Sequence, residues 1–129
     1  AEFKNKNVLI VDDSIVRGTT SKEIVQMAKD AGANKVFFTS AAPPVRYPHV
    51  YGINMPNRDE LIAHDRTISE IADQLEIDNL VYQNVENLRK SIISDSPIKD
   101  LEMSCFTGTY ITGTVNKEYL NWVENEYKS

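Results

Sequence analysis

With 129 residues, 41% of them hydrophobic and 26% charged, the chain is about one soluble domain long and can bury a core, so neither a disordered nor a membrane composition fits. Fourteen basic against nineteen acidic residues leave a net charge of −5, which excludes the basic face of a nucleic-acid module. No apolar run reaches membrane-spanning length and no signal-peptide pattern stands at the start, so a cytoplasmic location is expected; the single cysteine, Cys105, excludes an internal disulfide.

The first element is the run Val8, Leu9, Ile10, Val11. Four apolar, mostly β-branched residues without polar alternation predict a central strand covered on both faces. Asp12 and Asp13 stand at its carboxyl end, where ligands bind in open α/β sheets. The loop that follows, Ser14, Ile15, Val16, Arg17, Gly18, Thr19 and Thr20, supplies hydroxyls, one guanidinium and a glycine that lets backbone approach a ligand. Thr20 and Glu23 have the spacing of a capping box, and Ile24, Met27, Ala28 and Ala31 recur on one helical face before Gly32, which suits a left-handed C-terminal residue. A loop feeding a helix N-terminus is an anion site, because free N–H groups and the helix dipole favour phosphate. Asp12 and Asp13 beside it can reach hydroxyls or a divalent cation such as Mg²⁺, which takes one or two carboxylates and keeps waters and phosphate oxygens.

Residues 35–42 predict a second strand with Val36, Phe37 and Phe38 as its body, stopped by Pro43 and Pro44. Residues 45–56 read as an ordered loop in which Arg46, Tyr47, His49 and Tyr51 either line a nucleotide pocket or do structural work, the tyrosines packed beneath and Arg46 and His49 in solvent. Residues 59–75 are helical with a break near His64 and Asp65; Thr67 and Glu70 mark a fresh start, and Ile68, Ile71, Ala72 and Leu75 give the apolar stripe. His64 has no second histidine or cysteine at metal spacing and is a helix-end residue. A strand over 80–83 and a helix over 84–93, with Val85, Leu88 and Ile92 inward, complete a β-α alternation that implies right-handed crossovers and a parallel sheet. Residues 94–100 are a polar connection, and 117–128 an amphipathic helix with Tyr119, Leu120, Trp122 and Val123 as its apolar residues.

The string VLIVDDSIVRGTT resembles the phosphoribosylpyrophosphate (PRPP) signature of type I phosphoribosyltransferases. The segments SAAPPVRYPHVYGINMP, DELIAHDRTISEI and CFTGTYIT extend the resemblance, from Glu2 to about Leu120, to the C-terminal part of the amidophosphoribosyltransferase family. It implies an α/β fold, a partial type I phosphoribosyltransferase with a parallel sheet flanked by helices and a C-terminal helix. It also implies that Asp12 and Asp13 meet the ribose hydroxyls and Mg²⁺ of PRPP, that Ser14, Ile15, Val16, Arg17, Gly18, Thr19 and Thr20 hold the 5′-phosphate, and that purine nucleotides act as feedback inhibitors near residues 51–56. Family members commonly carry aspartate at the position of Asn54. One branch of the family binds an iron-sulfur cluster through Cys-x-x-Cys before Phe-Thr-Gly. Here Glu102 replaces the first cysteine, so no cluster is expected, and Cys105 is read as a small buried hydrophobe.

The family's activity joins glutamine-derived ammonia to PRPP, releasing pyrophosphate, in purine synthesis. Its glutaminase domain, the pyrophosphate-binding segment and the closing loop have no counterpart in these residues, so the chain is expected to be a C-terminal portion of the transferase domain holding half of a PRPP site. No catalytic residue is expected within it, the missing remainder of the subunit is an expected partner, and the full-length protein is expected to be a homo-oligomer. Two other readings use the same residues. One is a non-catalytic phosphate or nucleotide-binding module. The other is a degenerate receiver domain, which also opens on an apolar strand and acidic pair, but Tyr51, Gly52 and Asn54 offer no phosphoacceptor aspartate and the later Lys-Pro pair is missing.

Overall fold

Val8, Leu9, Ile10 and Val11 lie in strand β1 (Asn7–Asp12), and Val36, Phe37 and Phe38 in β2 (Lys35–Ser40), in a computed structural model that describes residues 3–49, 57–94, 96–97, 101–110 and 115–128. With β3 (Asn79–Tyr82) they form a parallel sheet in the order β1-β2-β3. Helix α1 (Thr19–Asp30) crosses from β1 to β2, and α2 (Ile68–Leu75), preceded by a 3₁₀ turn at Arg58–Glu60, leads into β3. Helices α3 (Val85–Ile93), α4 (Ser104–Thr107) and α5 (Lys117–Lys128) follow. The α/β class and parallel sheet are those the alternation implies.

One sheet face carries the core. Val36, Phe38 and Leu80 pack there against Val25 and Ala28 of α1 and Ile71 and Leu75 of α2, with Ile15, Ile62, Ala63 and Ile77 closing the ends. The opposite face differs from the expectation of a strand covered on both sides. The register sets Leu9 beside Phe37 and Thr39 beside Val81, and Leu9, Val11 and Val81 are 63%, 69% and 54% exposed. Among the described residues β1 is an edge strand with helices on one side only.

Local signals account for most boundaries and misplace part of the apolar stripe in several helices. Gly32 takes its left-handed conformation just beyond α1, with φ of 92°. Met27, however, is 70% exposed, and the buried line of α1 is Ser21, Val25 and Ala28. The Thr20–Glu23 capping box does not form: Gly18, at φ 83°, turns the chain into the helix at Thr19, so Thr20 is already inside it. The second box does form. Thr67 Oγ1 accepts from the Glu70 N–H at 3.2 Å and the Thr67 N–H donates to Glu70 Oε1 at 3.1 Å. Thr67→Ala is expected to cost about 1 kcal/mol in a urea titration, the usual worth of such a cap.

Leu61 and Ile62 are buried, as an apolar pair should be, but in a turn between the 3₁₀ segment and α2 and not in a helix. Ile68 and Ile92 are exposed, which corrects the apolar-stripe and inward assignments of these two residues; Val85 and Leu88 are half-buried, and no residue of α3 is fully buried. Among the described side chains of α5 the buried ones are Leu120 and, against hydropathy, Glu124; Tyr119 and Trp122 are exposed. β2 ends at Ser40, two residues short of the expected strand, because Ala41 and Ala42 turn to donate to the carbonyls of Asp12 and Asp13.

Candidate functional site

Those two bonds, each 2.9 Å, fix the backbone of the acidic pair at the carboxyl end of the sheet. The Asp13 N–H donates to Asp12 Oδ1 at 2.7 Å, so the first carboxylate is oriented by the peptide that follows it. Asp12 is half-buried and Asp13 exposed. Their remaining oxygens suit a hard cation that completes its shell with water and substrate. Among the described residues no three His, Cys, Asp or Glu side chains converge, so a cation here would rest on this pair.

The structure keeps the loop residues together and divides their labour. Ile15 is buried in the core at 1% exposure, so its side chain anchors the loop and only its backbone is free to meet a ligand. Ser14 and Val16 are half-buried, and Arg17, Thr19 and Thr20 are exposed. Gly18 is the N-cap of α1 with no side-chain cap bond, which leaves first-turn amides of the helix open to an anion. Behind the loop lies an open cleft of about 600 Å³ bordered by Arg17, Thr19, Lys22, Glu60 and Arg66 among others; neither Asp12 nor Asp13 lines it.

The aromatic and basic residues of the 43–49 segment are engaged within the protein. Arg46 Nη1 donates to the carbonyls of Ala63 and Arg66 at 2.7 and 2.6 Å. Its backbone N–H and that of Tyr47 donate to Cys105 O, and the Tyr47 ring lies where a side chain on Gly108 would stand. His49 Nε2 is 3.1 Å from Glu102 Oε2. Arg46 and His49, both partly buried, are therefore braces between segments and do not simply face solvent. Tyr51 and Asn54 lie outside the described residues. His64 sits in the turn before α2, its Nδ1 3.3 Å from the Arg46 carbonyl.

Glu102, the residue in the place of a cysteine, also accepts from the Ser104 N–H at 2.8 Å. Burial works against its charge, but the Ser104 bonds and His49 outweigh it and hold the carboxyl below its usual range. Burial and neighbouring Glu102 push the Cys105 thiol up, away from the thiolate that reactivity needs.

Two groups that sequence reasoning missed stand out. The Tyr82 phenol, at the carboxyl end of β3, finds no hydrogen-bond partner among the described residues, and burial pushes it up to about 12. Arg58 is clamped by Glu124 of α5: Nε to Oε1 is 2.9 Å, Nη2 to Oε2 is 3.1 Å, and the Arg58 N–H reaches Oε1 at 3.1 Å. Only a charge in a helix otherwise read for its apolar face could have hinted at it. The Arg58 hydrogen bonds hold the Glu124 carboxyl below the ordinary value of 4.5 despite burial. A depressed folded pKa gives stability that is complete above the unfolded value and is lost as pH falls through the folded one. Acid titration followed by circular dichroism should therefore show loss of stability below about pH 4.5, to which Glu102 also contributes, and Glu124→Gln should flatten that limb while leaving part of it.

No protein-family profile matches the chain. Curated proteins do: amidophosphoribosyltransferases of Haemophilus influenzae, Escherichia coli and Saccharomyces cerevisiae are 54%, 49% and 50% identical to it over 127, 125 and 129 residues. These matches take in 98%, 96% and 100% of the chain and 25% of each relative, so the chain spans about a quarter of their length. The solved glutamine PRPP amidotransferase of B. subtilis, complexed with ADP and GMP, superposes with a TM-score of 0.75 at 40% identity, over 84% of this chain and 24% of that one.

Proposed function

We propose that the chain, a member of the amidophosphoribosyltransferase family along nearly its whole length, is the section of the transferase domain that grips the ribose phosphate of PRPP. The observation that carries this reading is the arrangement at the carboxyl end of β1, where an oriented Asp12–Asp13 pair is followed by a loop that Gly18 turns into the open amides of α1. Asp12 and Asp13 orient the ribose hydroxyls and hold Mg²⁺. Ser14, Thr19 and Thr20, with backbone amides of the loop including that of Ile15, hold the 5′-phosphate, and Arg17 adds charge beside it.

Mg²⁺ bound here would neutralise charge on the departing pyrophosphate. The residues of this chain spend their binding energy away from the bond that breaks, fixing the sugar so that ammonia meets its anomeric carbon in line. In the whole protein the reaction gives phosphoribosylamine, pyrophosphate and glutamate, and the rest of the subunit supplies the glutaminase and the pyrophosphate contacts. A homo-oligomeric, cytoplasmic enzyme restrained by purine nucleotides follows the same kinship. The nucleotides bound to the B. subtilis relative support the last point.

Asp13→Asn tests the site. Titrating ribose 5-phosphate with Mg²⁺ into the chain should show affinity reduced about tenfold or more by this change, the loss of a charge-assisted contact of about 1.5–3 kcal/mol. Unchanged affinity would remove Asp13 from the site. For the 129 residues alone, no phosphoribosylamine formation from PRPP and ammonia is expected.

A further inference from the structure

The phosphate loop is supported from beneath by the turn that precedes α2. The Ile62 N–H donates to Val16 O at 3.0 Å. Ile62 Cδ1 lies only 2.5 Å from where a β-carbon on Gly18 would stand, and Arg17 Nε is 4.0 Å from Glu60 Oε1. This turn is itself locked. The Asn57 N–H donates to Glu60 Oε2 at 2.9 Å, the Glu60 N–H donates to Asn57 O at 3.0 Å, and the Leu61 N–H closes on Arg58 O at 3.1 Å. Leu61 and Ala63 are fully buried.

What holds the turn in place comes from far along the chain. Glu124 of α5 accepts from Arg58 Nε, Nη2 and the backbone N–H, and Asn121 Oδ1 accepts from Arg58 Nη2. These side chains are only 15% and 11% exposed, so the pair is shielded from water and the bidentate geometry is worth more than a surface contact. Arg46 secures the far end of the turn through the carbonyls of Ala63 and Arg66.

We propose that Ile62, held by the Arg58–Glu124 clamp, is a positioning residue for the phosphate loop, and that α5 thereby sets the geometry of the site through the turn. The proposal rests on the phosphate-binding role of residues 14–20. If the clamp acts through the turn, loosening it lets Val16 and Gly18 shift, and a shift of about an ångström in a positioning group can cost up to a hundredfold in function.

The test uses the full chain with Ile62→Ala, Ile62→Val, Arg58→Ala, Glu124→Ala and the Arg58→Ala/Glu124→Ala double variant. Ile71→Ala, buried in α2, serves as a control for general loss of packing. Two readouts are followed by NMR under conditions where each variant is folded. The first is hydrogen exchange of the Ile62 amide compared with that of Phe38 in β2. The second is affinity for ribose 5-phosphate with Mg²⁺ from the shift of the Gly18 amide.

The Ile62 amide should exchange about tenfold faster in the clamp variants while Phe38 keeps its protection, and affinity should fall about five- to tenfold. The double variant should be no worse than either single one, Ile62→Val should be milder than Ile62→Ala, and Ile71→Ala should leave affinity unchanged. Unaltered Ile62 exchange in folded Arg58→Ala, or an equal loss of affinity in Ile71→Ala, would overturn the proposal. If the parent chain binds no ribose 5-phosphate, the assigned ligand is wrong, and the exchange arm alone then decides whether the clamp supports the loop.

Discussion

Gly18→Val is expected to abolish ribose 5-phosphate binding and to destabilise the chain by about 2–5 kcal/mol. Two costs add. At φ of 83° a β-branched side chain meets its own backbone, at about 1–2 kcal/mol. Its β-carbon would also stand 2.5 Å from Ile62 Cδ1 and 3.2 Å from Leu75 Cδ2, in a packed part of the core where overpacking costs about 1–3 kcal/mol. The chain can relieve both by withdrawing the loop, which is why binding should fail before folding does. Combining Gly18→Val with Ile62→Ala should recover part of the steric cost and none of the backbone cost. Urea unfolding paired with ligand titration reads both, and a Gly18→Val variant that binds as the parent does would contradict this account of the loop.

Phe38→Ala and Phe37→Ala should differ sharply although the residues are neighbours in one strand. Phe38 is 1% exposed and packs against α1 and α2, so its truncation should cost about 3–5 kcal/mol. Phe37 points to the open face and is only half-buried, so about 1 kcal/mol or less is expected. Against a typical domain stability of about 5–15 kcal/mol, the first change removes a large share and the second little. Urea midpoints at equal slope measure the difference, and equal losses would mean that both faces of β2 are covered in solution.

These contrasts mark what the sequence could and could not tell. The order of the three strands with α1, α2, α3 and α5, the acidic pair, the loop and the Thr67 cap are local, carried by residues a few positions apart, and each was legible; the short helix α4 was not. The exposure of Leu9 and Val11 was not, because an unbroken apolar run records a strand suited to two covered faces and cannot report which covers are present. The Thr20–Glu23 box had the right spacing but lost to Gly18, whose left-handed turn starts the helix two residues sooner. The Arg58–Glu124 clamp joins residues 66 positions apart, and no periodicity encodes such a pair. Likewise Arg46 and His49 offered chemistry suited to a ligand, and it took the positions of Ala63, Arg66 and Glu102 to reveal that they brace one segment against another.

The uncovered face of the sheet also governs how this chain behaves in a tube. Leu9, Val11, Phe37 and Val81 form an apolar surface beside an edge strand whose middle residues, Val8 to Val11, carry none of the proline, bulge or charged side chains by which such edges usually discourage pairing; Asp12 stands only at its end. Repulsion between molecules of net charge −5 is what opposes their contact. Added salt screens that repulsion and leaves the apolar attraction in place, so the solubility of the isolated chain is governed by ionic strength and concentration together, with dilute, low-salt buffer the most favourable medium.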